Sequence, residues 1–157
     1  MTLARDVVTV AIAKGVTIAT AESCTGGLLS AAITDIAGSS AMFERGFVTY
    51  SNAAKVEMLF VETATLEANG AVSEEVAAQM ANGAAKAARA DIAVSVTGIA
   101  GPGGSEYKPE GRVCFGLRVG DTTTTETHEF GPLGRAQVRQ RSVETALTLI
   151  ARAIDSL

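Results

Sequence analysis

The sequence predicts an α/β fold: a single domain in which a mixed β-sheet is packed with α-helices. Three observations carry that expectation. Segments with apolar residues three and four apart interleave along the chain with short β-branched runs, the pattern of helices alternating with strands. Glycine- and hydroxyl-rich turns follow several of the β-like runs, where open α/β sheets collect their ligands. Hydrophobic residues make up 47% of the 157 residues but aromatic ones only 4%, with no Trp. A core of that kind relies on close approach of small side chains, and the length suits one domain over residues 1–157.

The helical spacing of Leu3, Val7, Val8, Ala11 and Ile12 predicts a first helix, stopped at Gly15. Val16-Thr17-Ile18-Ala19 predicts a strand. Thr20-Ala21-Glu22-Ser23-Cys24-Thr25-Gly26-Gly27 then reads as a strand-to-helix turn, and Leu28, Leu29, Ala32, Ile33 and Ile36 as the buried stripe of a second helix ending at Gly38-Ser39-Ser40. A strand is expected over about 45–50, and Ser51-Asn52 as the cap of a short helix carrying Lys55, Met58 and Leu59. Ser73, followed by Glu74 and Glu75, marks a helix start. Val76, Met80, Gly83, Ala84 and Ala87 give that helix a face of mainly small residues. Such a face suits burial inside the monomer, and it also allows a homodimer.

Residues 91–97 predict a buried strand, too continuously apolar for an edge. It runs into Gly98-Ile99-Ala100-Gly101-Pro102-Gly103-Gly104. Residues 111–119 and 122–130 predict two strands joined by a hairpin turn at Gly120-Asp121. After a loop at 131–134, Val143, Ala146, Leu147, Ile150, Ile154 and Leu157 line one side of a last helix.

A net charge of −4 and a pI near 5.0 argue against non-specific nucleic-acid binding. Cys24 and Cys114 make no CxxC pair and no metal-ligand spacing, so neither a metal site nor a disulfide framework is expected. Residues 1–14 contain Asp6 and lack a cleavage-type ending, and no apolar run approaches spanning length. A cytoplasmic protein without membrane contact is the expectation.

Hydroxyls, glycines and one lysine carry the candidate chemistry. Free N–H groups at the helix start after Glu22 would attract an anion, so residues 22–27 could hold a phosphate, an oxyanion or a nucleophile; an ordinary connection capped by Ser23 or Thr25 fits equally. The 98–104 loop matches neither G-x-G-x-x-G nor G-x-x-x-x-G-K-[ST]. Lys55 reads as a surface lysine or, if desolvated, as a general base for a nearby serine. Arg135 and Arg139, four apart, could clamp a phosphate from one helix face, with Arg141 pointing elsewhere. Cys24 is either a packed residue or, less expectedly, a nucleophile. His128 stands alone in a Thr/Glu-rich strand, which argues against a Ser–His–Asp site.

Taken together, these residues resemble a known family. Residues 20–27, Ile36-Ala37-Gly38-Ser39-Ser40, Phe43-Glu44-Arg45-Gly46-Phe47-Val48-Thr49-Tyr50-Ser51-Asn52 with Lys55, and Gly70-Ala71-Val72-Ser73 look like the CinA C-terminal domain family. The likeness continues through residues 98–104 and Lys108-Pro109-Glu110-Gly111, in the expected order over nearly the whole chain. The chain is similar to the stand-alone form. The resemblance implies nicotinamide-nucleotide amidohydrolase activity, converting nicotinamide mononucleotide (NMN) to nicotinate mononucleotide and ammonia in pyridine nucleotide recycling. A non-catalytic, competence-associated nucleotide-binding module is the alternative.

The resemblance further implies a serine hydrolase without metal or other cofactor, with Lys55 as general base. Ser23 and Ser40 both match family serines, and either could attack. Tyr50 and Thr97 match the remaining active-site hydroxyls. Arg139, with Arg135 nearby, matches the basic patch for the 5′-phosphate, while Thr25, Gly26, Gly98 and Gly101 are substrate-binding candidates from their place in the hydroxyl- and glycine-rich turns at strand ends. Leu133-Gly134-Arg135 departs from the Gly-Asp-Arg that many relatives carry.

Overall fold

Bulky and small side chains alternate along the central strands, and that alternation decides how the layers stack. A computed structural model describes residues 2–157. Among them the strands are β1 (Ile18–Glu22), β2 (Phe43–Val48), β3 (Ile92–Gly98), β4 (Arg112–Val119) and β5 (Thr122–Glu129). They form one mixed sheet in the order β2-β1-β3-β4-β5. β1 lies parallel to both β2 and β3; β4 is antiparallel to β3, and β5 is antiparallel to β4. β3 is central, as its apolar continuity predicts.

The helices are α1 (Leu3–Lys14), α2 (Leu28–Thr34), α3 (Asn52–Leu59), α4 (Thr63–Asn69), α5 (Glu74–Ala88) and α6 (Arg135–Asp155). Ile18, Ile92, Val94 and Val96 point to one face and pack with α1, α2 and α6. Ala19, Ala21 and Ala93 point to the other, against Leu59 of α3 and Val76, Met80 and Ala84 of α5. Small residues there let α5 settle close to the sheet: Ser95 Oγ donates to the Ala77 carbonyl at 2.6 Å and accepts from Gly116 N–H at 3.0 Å. The small-residue face of α5 is thus used inside the monomer.

Capping residues hold where the sequence places them. Ser51 Oγ accepts from Ala54 N–H at 3.0 Å, Ser73 Oγ from Val76 N–H at 3.2 Å, and Gly15 closes α1 at φ 66°. Other expectations need correction. β1 does not stop at Ala19 but continues through Glu22, and β2 starts at Phe43 and ends at Val48, two residues earlier than predicted. α4 was not anticipated at all. Ile12, Leu28 and Leu157 are exposed, as is Ala87. Each lies at the rim of its apolar stripe or beyond the helix end, where the neighbouring layer no longer covers it. No described helix is long and apolar enough to cross a membrane.

Candidate active site

Period-two geometry at the end of β1 sends neighbouring residues to opposite layers. Glu22 is fully buried toward α2. Its carboxylate accepts from the N–H groups of Gly27, Leu29 and Ser30 at 3.2, 3.0 and 2.9 Å, and from Ser30 Oγ at 2.7 Å. This narrows the reading of residues 22–27 as an anion site, because the N–H groups of Gly27, Leu29 and Ser30 face Glu22 and not the outside. The helix-start donors are already taken, by a charge that the helix dipole favours. Of the turn's amides, Cys24 N–H and Thr25 N–H make no hydrogen bond among the described residues.

Ser23, one step on, faces the α3 side. There Lys55 is 1% exposed, with Nζ 3.0 Å from Ser23 Oγ, 2.9 Å from the Thr49 carbonyl and 3.3 Å from the Tyr50 carbonyl. Ser51, capping α3 after β2, fixes the helix so that Lys55 points back under the strand end. Burial pushes the Lys55 ammonium below its ordinary range, against a smaller upward pull from Cys24 and Glu106. A neutral amine has two N–H donors and one lone pair. With two carbonyls accepting, the lone pair is left for the Ser23 hydroxyl.

Ser23 and Lys55 open into a cavity of about 330 Å³ that Tyr50, Thr97, Gly98, Gly101, Glu106 and Arg135 also line. Thr97 Oγ1 is spent on the Ala71 carbonyl at 2.9 Å, so it shapes the wall. Tyr50, 58% exposed, accepts through its hydroxyl from Arg135 at 2.6 Å, and Arg135 also donates to the Gly101 carbonyl at 2.6 Å. Glu110 accepts from Gly103 N–H and Gly134 N–H, tying the glycine loop to the start of α6.

Four sequence candidates lie off the cavity. Arg139 donates to the carbonyls of Cys24 and Thr25 at 3.1 and 3.2 Å; it braces the turn after β1 and does not line the cavity. Arg135, not Arg139, supplies the cation of the cavity wall. Gly26, at φ 55°, packs under Arg139, and Thr25 is buried, its Oγ1 without a partner among the described residues. Ser40 sits in a 3-10 turn, Ser39–Ala41, just before β2. Because β1 and β2 are parallel, that turn is at the opposite end of the sheet from Ser23. Arg141 does point elsewhere, over the Phe130 ring at 5.5 Å.

Cys24 lines the cavity too, yet it is 5% exposed. Burial pushes its thiol up to about 12, which disfavours the thiolate needed for attack. His128 stacks edge-on against Phe115 on β4 and β5, away from all of this.

Sequence reasoning missed Glu22 as a cap, Glu110 as a tie and the two carbonyls that orient Lys55. A lone carboxylate at the end of an apolar run, in phase with Ile18, was the available signal for Glu22.

The sequence profile of the CinA C-terminal domain matches residues 1–154. The chain belongs to the CinA C-terminal domain family. Nicotinamide-nucleotide amidohydrolase PncC of Escherichia coli (strain K12) is 55% identical over 136 residues, covering 86% of this chain and 82% of that protein. A CinA-like protein of Chlorobium phaeobacteroides is 53% identical over 148 residues, but the match spans only 35% of that longer protein. The crystal structure of competence/damage inducible protein CihA from Agrobacterium tumefaciens superposes with a TM-score of 0.93 at 48% identity, covering 96% of this chain and 93% of that one.

Proposed function

We propose that this chain is a nicotinamide-nucleotide amidohydrolase that releases ammonia from the carboxamide of NMN through Ser23 and Lys55, acting on the cytoplasmic nucleotide pool. The observation that carries the reading is the fully buried amine 3.0 Å from the serine hydroxyl, with two backbone carbonyls on its other sides. A relative bearing the amidohydrolase name, similar over most of both chains, supports the substrate.

Lys55, neutral, takes the Ser23 proton as Oγ bonds to the carboxamide carbon. The charge that develops on oxygen meets the unpaired Cys24 N–H, in the manner of an oxyanion hole. As the tetrahedral species collapses, the C–N bond breaks and Lys55 returns the proton to the departing nitrogen as ammonia. Water then gives a proton to Lys55 and attacks the ester. The C–Oγ bond breaks, Ser23 regains its hydrogen, and nicotinate mononucleotide leaves. Arg135, exposed at the mouth, is the cation for the phosphate, and the base works without a metal or other cofactor.

An ammonia assay on NMN, NAD and nicotinamide tests this. Ser23→Ala and Lys55→Ala are each expected to lower turnover of NMN about 10³-fold or more, while Ser40→Ala and Cys24→Ala stay within a few-fold of wild type and a chelator changes nothing. NMN binding without ammonia release by the wild type would overturn the enzyme reading in favour of a nucleotide-binding module.

A further inference from the structure

We propose that Glu106 is the specificity-determining residue for the charge of the substrate's ring. The pocket then takes a dipolar nucleotide, cationic at the base and anionic at the phosphate, and disfavours the same nucleotide with an uncharged ring. The inference rests on the amidohydrolase reading and adds the group that recognises the base.

Glu106 lies on a small hairpin that forms one wall of the cavity. Ser105 and Lys108 pair backbone to backbone at 2.9 and 2.8 Å, and Glu106 and Tyr107 make the turn with φ of 52° and 62°. Two successive non-glycine residues in the left-handed region are unusual, and the flanking pairing holds them there. Lys108 pins the hairpin to the α4–α5 junction, its Nζ donating to the Asn69 carbonyl at 2.6 Å and the Val72 carbonyl at 2.5 Å. The Glu106 carboxylate backs onto Gly70, where a β-carbon would stand 2.5 Å from Oε2.

What sets Glu106 apart is its lack of a partner. Glu22 is consumed by the start of α2 and Glu110 by two loop amides. Glu106 lines the cavity, and among the described residues its carboxylate makes no hydrogen bond and no ion pair; Lys108 Nζ stands close by, 2.9 Å from the same point over Gly70, but donates to the Asn69 and Val72 carbonyls instead. Arg135, held on Tyr50 and Gly101, lines the same cavity. When Lys55 is neutral and able to act as base, the pocket therefore presents one negative and one positive side chain.

NMN has the matching charge pattern. Its ring nitrogen is quaternary and positive and stands meta to the carboxamide, so seating the carboxamide carbon at Ser23 Oγ brings that charge inside the cavity. The phosphate at the other end is anionic. An exposed carboxylate on the cavity wall facing a fixed cation favours binding modestly and disfavours competitors that lack the charge. The dihydro form of the same nucleotide, with a neutral ring and otherwise similar shape, is the discriminating competitor.

Equilibrium binding in a Ser23→Ala background, where no turnover intervenes, tests the assignment. NMN is expected to bind roughly three- to fivefold more tightly than dihydro-NMN. Adding Glu106→Gln should erase the preference by weakening NMN alone, and Glu106→Lys should reverse it. A preference that survives Glu106→Gln, or no preference with Glu106 in place, would overturn the proposal. Ammonia release from NMN by the wild type decides the activity itself, so the two can fail separately.

Discussion

Lys55 shows how much of this site depends on where one side chain is buried. On sequence alone a lysine in a short helix reads as solvated; only the β2–α3 geometry puts its amine beneath Ser23. The resemblance named it as the base, but nothing in its neighbours disclosed the two carbonyls that orient it. Burial lowers its proton affinity, so the acid limb of kcat/KM is expected below the ordinary lysine value near 10.5, activity rising as Lys55 deprotonates. Stability follows the same sign. Between the lowered folded value and 10.5 the unfolded chain binds the extra proton, so folding stability rises with pH there; below that window both states are protonated and the benefit is absent. Denaturation series at several pH values should show this rise in the wild type and not in Lys55→Met.

The element that matters most is the junction of β1 and α2. Glu22 acts as an internal cap: the strand's last residue closes the helix after an intervening turn, and Ser23 is caught between the two. Glu22→Gln would set an amide N–H₂ against donors that now meet a carboxylate. A loss of about 2–4 kcal/mol is expected in urea denaturation, together with a lower kcat at little changed KM. Local chemistry made some boundaries easy to read, such as the Ser51 and Ser73 caps and the Gly120-Asp121 hairpin. Polar residues hid the end of β1, because Thr20 and Glu22 find partners only across layers: Thr20 Oγ1 lies 2.7 Å from Ser30 Oγ. The same reason separates Arg135 from Arg139. They are the same residue type four apart on one helix, and their different roles come from which loop each meets.

At the scale of the whole molecule, sheet order decides which sequence motifs become neighbours. Interleaved periodicity was enough to foresee an α/β domain with a central β3. The parallel placement of β2 beside β1 was not readable, and it is this that sends Ser40 to the far end. Layer spacing matters equally. A β-carbon on Gly83 of α5 would overlap the Leu59 carbonyl at the end of α3. Gly83→Ala should therefore cost about 3 kcal/mol and, by shifting the helix that carries Lys55, reduce ammonia release in the protein that still folds. Finally, Lys55 is held by carbonyls and a hydroxyl, with no carboxylate among the described residues in ion-pair contact with it. Under the proposed mechanism the chemical step depends little on ionic strength, whereas phosphate binding by exposed Arg135 depends on it. Raising NaCl from about 0.05 to 0.5 M, across a several-fold change in screening length, is expected to leave kcat flat while KM for NMN climbs.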